Sequence, residues 1–491
     1  MIILRVKSML CIGFAFLGMA LAVRADVVAG PLFSDFSLTL EPGRRTEAMG
    51  PFFYSQETQA GHLFAVPPLF SVLKDPSLEL TESAVLYPVF SYVRYGGEYR
   101  VQLAQLISWA GGRSQEDDTT RRFTIFPLYF HQRNTNDPSK NYTAVVPFYG
   151  NLKNRLFRDE IHFVMFPVYS QTRKKDVVTD NYLYPIFHNR HGDHVRGWQV
   201  WPFVGRESGE MTYQTNLWTE EVTTNGASKS LFVMWPIYFR TSTGLGTTHP
   251  AEMRTVVPFY SSWHSPSRDS VSYGWPFGYT LTEDREKNYR ERDIFWPLIV
   301  HAKGENKYTS RIFPFYSHAT NSSLESHWWM WPLVKVNRLH GDLLERSRTR
   351  ILFFLYSDTL EKITPTGESK RRVDFFPFFT RRREMDGRER LQILSIIEPI
   401  LPNSKYVVRN YAPLYTFWLA EKNPKTGAKS QSLLWNLYRN EQTPETKKCS
   451  ILFGLFQYES SPEGKSWRVC YVPVKRGAGG GNPARDGIIS Q

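Results

Sequence analysis

The sequence predicts an all-β repeat fold, and three observations carry that prediction. A short phrase, apolar–aromatic–Pro–apolar–aromatic, returns about every twenty residues. The phrase is rich in Val, Ile, Phe, Tyr and Trp, is too short for a helix, and holds a Pro that would break one. Between copies lie polar, turn-forming segments such as Asn134-Thr135-Asn136-Asp137-Pro138, Arg190-His191-Gly192-Asp193, Gly304-Glu305-Asn306 and Pro424-Lys425-Thr426-Gly427. Together they describe one supersecondary unit used many times, with packing between neighbours supplying the core.

The chain opens on a different pattern. Arg5 and Lys7 precede an apolar run from Met9 to Met19, and Val23-Arg24-Ala25 places small residues where a signal peptidase cuts. The run is shorter than the ~18 residues of a membrane-spanning helix. Residues 1–25 are therefore expected to be a signal peptide removed before Asp26.

Residues 26–475 are expected to form a single β-repeat domain. Copies around Pro51, Pro68 and Pro88 and a degenerate one near Ser108 lead into Ile125-Phe126-Pro127-Leu128-Tyr129 and Val145-Val146-Pro147-Phe148-Tyr149. Others centre on Pro167, Pro185, Pro202, Pro236, Pro258, Pro276, Pro297, Pro314, Pro332, Pro377 and Pro473. Phe354, Asn436 and Gly454 take the Pro slot in copies that keep the frame. The count is about twenty-three units. Residues 476–491 are Gly-rich and read as a flexible C-terminal tail.

If each unit is one strand centred on its Pro, the strands form an antiparallel up-and-down meander. Both faces of the phrase are apolar, so mid-strand would be covered on both sides. Trp235→Ala would then open a cavity costing roughly 3–5 kcal/mol. Each Pro would leave a neighbouring carbonyl short of a donor, at ~1–3 kcal/mol if buried, so a shared remedy is expected. The leading closure is a large β-barrel; the alternative is a soluble propeller, sandwich or hairpin array. The cysteines left after processing, Cys449 and Cys470, discriminate between unit types. One strand per unit puts them toward opposite ends of adjacent strands as free thiols, whereas a hairpin per unit would bring them near one level.

The 491-residue chain carries a formal net charge of +13. Its cations are dispersed, as in Arg155, Arg173-Lys174-Lys175 and Arg381-Arg382-Arg383. That balance suits outer-membrane lipid, lipopolysaccharide or an anionic glycan, and export argues against nucleic acid. No P-loop, dinucleotide fingerprint, Gly-x-Ser-x-Gly elbow or His-Glu-x-x-His helix is present, so no enzyme, catalytic residue, cofactor or metal is expected.

Three groups of residues carry chemistry worth placing. His188, His191, Asp193 and His194 have metal-ligand chemistry, but their spacing fits a polar turn. Glu398 and Asp374 sit in apolar surroundings and read as facing solvent, a lumen or an Arg such as Arg371 or Arg372. In Trp328-Trp329-Met330-Trp331 the aromatics occupy both faces, so some must be core. The functional expectation is an exported cell-envelope protein with a structural, pore-like or binding role at the outer membrane. The alternative is a secreted or periplasmic module binding an anionic glycan or a protein.

Overall fold

The computed structural model describes residues 28–29, 32–113, 119–215 and 222–474; the expected signal peptide and tail lie outside them. Among the described residues, 44 strands form one sheet in which nearly every strand pairs antiparallel with its neighbours in sequence. The one detour is a small separate hairpin, Thr212–Thr215 with Val222–Asn225, between two strands that pair directly. The all-β antiparallel meander is therefore as expected.

The unit is not. Each repeat of about twenty residues is a hairpin of two short strands, and the phrase is its turn. The strand Thr120–Ile125 ends on the first residue of its phrase, and Tyr129–Asn134 begins on the last. Between them the Ile125 carbonyl accepts the Leu128 N–H at 2.7 Å. Pro127 sits third in this four-residue reversal, behind a cis peptide bond, which is the arrangement of a type VI turn. Fourteen X-Pro bonds in the described residues are cis. No ladder partner waits for the missing N–H at that position, so the expected loss does not arise. Without Pro, the chain reverses through left-handed residues, as at Leu352 and Phe353 (φ 46° and 60°) and at Trp435 and Asn436 (φ 53° and 65°).

The turns are bonded to one another. Val146 N–H donates to the Leu128 carbonyl, Trp201 to Ile186, Val257 to Ile237 and Phe313 to Leu298, each at 2.7 Å. The phrases thus lie along one rim of the sheet, except that the expected copy centres Ser108 and Pro473 fall inside the strands Ile107–Gly112 and Val472–Val474, beside their turns. The polar segments form the opposite rim.

Each strand has two faces with different chemistry. One residue in from the turn rim, one face carries a register row rich in small or polar side chains, with aromatics such as Phe163 and Trp328 among them. Ser71, Ala84 and Ser91 stand opposite one another in it, as do Phe163, Ser170 and Asn181. All six are buried. Close packing demands a glycine in this row: a Cβ on Gly150 would meet the Ala144 Cβ at 2.4 Å and the Phe163 ring at 2.6 Å. The other face carries an apolar row next to the turns, running Ile294, Ile299, Ile312, Tyr316, Trp329, Val334, Ile351 and Tyr356 across successive strands.

Among the described residues no strand ladder joins the first strands to the last, so a closed barrel is not seen. The two ends nevertheless meet through side chains on the first face, which is the inner one. Asn436 Nδ2 donates to Glu47 Oε2 at 2.7 Å, and the Arg439 guanidinium lies 3.4 Å from the centre of the Phe36 ring. An insertion, residues 394–417, replaces one rim turn and fills the space between the ends. Its helix Lys405–Asn410 is capped by the Ser404 hydroxyl, which accepts the Val407 N–H. From there Tyr406 stacks on Tyr87 at 4.5 Å, Arg409 pairs with Glu82, and the Arg409 carbonyl accepts the Tyr54 hydroxyl at 2.8 Å.

Both thiols are free. Hairpin units do not bring them together, because Cys449 lies in Lys447–Ile451 and Cys470 follows Gly464–Val469, with Phe456–Ser461 between. Two interstrand spacings, about 9–10 Å, exceed the ~7 Å Cα limit of a disulfide.

Candidate functional site

The turn rim is the most unusual surface of the molecule. The residue after each Pro is exposed: Phe148, Phe203, Phe259, Phe277, Phe315 and Phe378 are examples, with Phe259 at 73%. Phe378 packs on Phe375 of the outer row at 5.0 Å, so these tips lean outward. Several of the aromatics that precede a Pro pack, tilted, on their counterparts in the next turn, as in Trp201 with Trp235 at 5.7 Å and Phe313 with Trp331 at 5.7 Å. Phe313 also meets buried Trp328 edge-on at 5.8 Å, which covers the inner row from the rim side. Apart from the insertion and a few polar turn residues such as Gln105 and Asn436, the rim is a long run of exposed aromatic and aliphatic side chains, of the kind that marks an interaction surface.

One row further from the turns the outer face is mixed, with Trp109, Phe123, Trp198, Val271 and Leu281 beside His131, Gln171 and Asp180, and over one stretch it carries arginines. Arg206, Leu231, Arg240 and Arg254 stand opposite one another there. Beyond that row lie the polar turns, such as Arg285-Glu286-Lys287.

Trp235 was expected in a covered mid-strand; it is 47% exposed, because the phrase is a turn and not a strand centre. Of the Trp residues in Trp328-Trp329-Met330-Trp331, only Trp328 is buried; Trp329 lies on the outer face and Trp331 in the turn.

His188, His191, Asp193 and His194 are not gathered. His188 and His191 fall at odd and even positions of the strand Phe187–His191 and so occupy opposite faces. Burial and Arg190 hold the His188 imidazole below its usual value. His191 Nδ1 instead lies 3.6 Å from Asp180.

Glu398 does not face solvent; its charge acts on Arg382, but its hydrogen bonds go elsewhere. It is 1% exposed and accepts hydrogen bonds from Gln392 Nε2 at 2.7 Å, Ser395 Oγ at 3.0 Å and the Tyr415 hydroxyl at 2.7 Å. Burial, with this carboxylate second, pushes the Tyr415 hydroxyl well above its usual range. The insertion brings Ser395 and Tyr415 to Glu398, a folding-back that no repeat pattern announces. Asp374 does meet an Arg: Arg372 Nε lies 2.7 Å away, and Thr380 Oγ1 donates at 2.8 Å. Arg371 points to the outer face and pairs with Asp358 at 2.8 Å.

One trio of metal-ligand type does come together among the described residues: His318, Glu325 and His327, with ligand atoms within 4.8 Å of one another. The two rings stack at 4.0 Å, and Glu325 Oε1 lies 2.7 Å from His327 Nε2. Burial and His327 lower His318; the hydrogen bond with His327 lowers Glu325. Imidazole, imidazole and carboxylate are a suitable donor set for a transition metal. The signal for this trio is in the sequence once the unit is known to be a hairpin, since residues 318 and 327 are symmetric about the Asn321–Leu324 turn.

No protein-family profile matches the chain, and no curated protein is significantly similar to it.

Proposed function

We propose that this is an exported envelope protein that seats its turn rim in a lipid surface and serves there as a structural or binding element. The observation behind this reading is the long belt of exposed aromatic turns on one rim, set against a charged opposite rim. Turn plus first outer row reach about 7–10 Å, which matches the ~5–10 Å burial of interfacial elements and falls well short of the ~30 Å hydrocarbon core. Arg206, Arg240 and Arg254 in the next outer row would then stand at headgroup depth, with their aliphatic stems against the apolar belt. The net charge of +13 adds attraction to anionic lipid.

A second reading, a barrel threaded through the outer membrane, draws support from the meeting of the two ends across the insertion. Strands of mostly five to eight residues favour seating over spanning, since a spanning strand needs ~9–11 residues. The test is co-flotation of the mature protein with vesicles of phosphatidylethanolamine and phosphatidylglycerol. Wild type should float, and a Trp235→Glu, Phe259→Glu, Phe315→Glu variant with unchanged β-sheet circular dichroism should remain in the dense fraction. Equal flotation of both proteins would contradict the seating; retention on an anionic glycan column with no flotation would revive the soluble binding module.

A further inference from the structure

Where the inner face passes beneath the insertion, the register aligns Arg348, Thr359, Arg372, Arg382 and Arg390 on five successive strands. Like charges placed directly opposite repel, so three adjacent arginines are an expensive choice for a structural role alone. Arg348, Arg372 and Arg382 line a pocket of about 510 Å³, with Lys405 at the start of the insertion's helix on the far side.

The charges around this pocket do not cancel. Its lining holds six cations, adding Arg346 and Lys370 to those four, and three acids. Arg346 pairs with Glu361 at 3.2 Å, Lys370 with Glu384 at 3.0 Å and Arg372 with Asp374 at 2.7 Å. Each acid of the lining thus has a cation of its own, and Arg348, Arg382 and Lys405 form no ion pair among the described residues, although Asp374 offsets part of the charge on Arg348 and Arg382. Outside the lining, the Glu398 charge offsets part of the repulsion on Arg382 without a hydrogen bond to it. Glu398 is held by Gln392, Ser395 and Tyr415, and Glu421 lies 3.8 Å from Arg390. Arg348 Nε is buried with no hydrogen-bond partner. Burial and the neighbouring Arg372 and Arg390 push Arg382 down to about 10, and burial with Arg350 and Arg346 lowers Arg348. Both guanidiniums are held in a setting that disfavours their charge, and an anion between them would reverse that.

We propose that this pocket binds a multiply charged oxyanion of the phosphate or pyrophosphate class, held by Arg348 and Arg382 with Lys405 closing from the insertion. Guanidinium forks suit such oxyanions because two parallel N–H groups meet two oxygens. The size leaves room for more than a single phosphate, so the natural ligand is a phosphorylated compound or the phosphorylated headgroup of a lipid.

Calorimetric titration of the mature protein with inorganic pyrophosphate tests the site. Wild type should show one saturable site that weakens with added salt. The double variant Arg348→Gln, Arg382→Gln should bind at least about tenfold more weakly. Arg371→Gln, which breaks an outer-face ion pair, should bind as wild type does. Thermal unfolding supplies the second readout. Pyrophosphate should raise the wild-type midpoint and leave the double variant unmoved, while the double variant without anion should be no less stable than wild type, because like-charge repulsion has been removed. Absence of saturable binding to wild type, or equal affinity in the double variant, overturns the proposal. Flotation on phosphatidylcholine vesicles doped with phosphatidic acid separates the sources. Release by pyrophosphate, lost in the double variant, identifies a lipid headgroup, and indifference to pyrophosphate identifies a free phosphorylated compound.

Discussion

The turn rim and the inner row beside it lie within a residue or two of each other on the same hairpins, yet they invert the usual placement of side chains. The rim holds much of the aromatic mass and is exposed; the inner row holds mostly Ser, Ala, Thr, Gly and Asn and is buried. Ordinary folding puts the large apolar groups where the small ones are here. The difference teaches that the aromatic repeats are not the core of a doubly covered sheet. Strand pairing, small-residue packing on the inner face and turn-to-turn hydrogen bonds hold the ribbon, and the aromatics are left for something outside the chain.

If that contrast holds, the largest stability losses come from the inner side. Glu398→Ala should cost about 4 kcal/mol, since the Gln392 amide and the Tyr415 and Ser395 hydroxyls lose their buried acceptor together. Denaturant unfolding reads it; a loss under about 1 kcal/mol would mean that water enters freely beneath the insertion. Gly150→Val should cost about 3 kcal/mol, because the new side chain must displace Ala144 or Phe163.

A smaller change of opposite sign comes from Asp293, in the same inner row. Its Oδ1 is buried without a partner, and burial together with Glu291 pushes the carboxyl up to about 7, against a lowering by Arg311. The folded state therefore keeps a proton that the unfolded chain has lost, and this group's contribution to stability falls as pH rises from about 4 to about 7. Asp293→Asn should stabilise by roughly 1–2 kcal/mol at pH 8 and change little at pH 4. Equal gains at both would assign the effect to packing and not to ionisation.

The smallest effect is expected on the rim. Trp235→Ala should cost no more than about 1 kcal/mol, the worth of its contact with Trp201, and not the 3–5 kcal/mol of a core Trp. A core-sized loss would erase the distinction between the two regions.

The class of fold was legible because strand-forming residues and turn residues alternate so regularly. Its unit was misplaced by half a period. Residues such as Ile125 and Tyr129 have the same composition whether the chain runs straight through Pro127 or reverses at it, and only the backbone distinguishes the two. The absence of an N–H on Pro was the available clue, since a position needing no donor is a turn position as readily as a bulge. The Asp374–Arg372 pair was within reach of the sequence, because the residues are two apart on one strand face. Glu398 and the arginine pocket were not, since the first depends on the insertion folding back on itself and the second on its folding back over strands tens of residues away.

The most direct measurement places a reporter on each rim. With Cys449 and Cys470 of the mature protein replaced by Ser, single sites Phe259→Cys on the turn rim and Asn306→Cys on the polar rim are labelled with an environment-sensitive fluorophore and mixed with phosphatidylethanolamine–phosphatidylglycerol vesicles. The account predicts a blue shift and quenching by brominated acyl chains at residue 259 and neither at residue 306. A probe at residue 259 that stays in water while the protein is bound, or one at residue 306 that enters the bilayer, would contradict it.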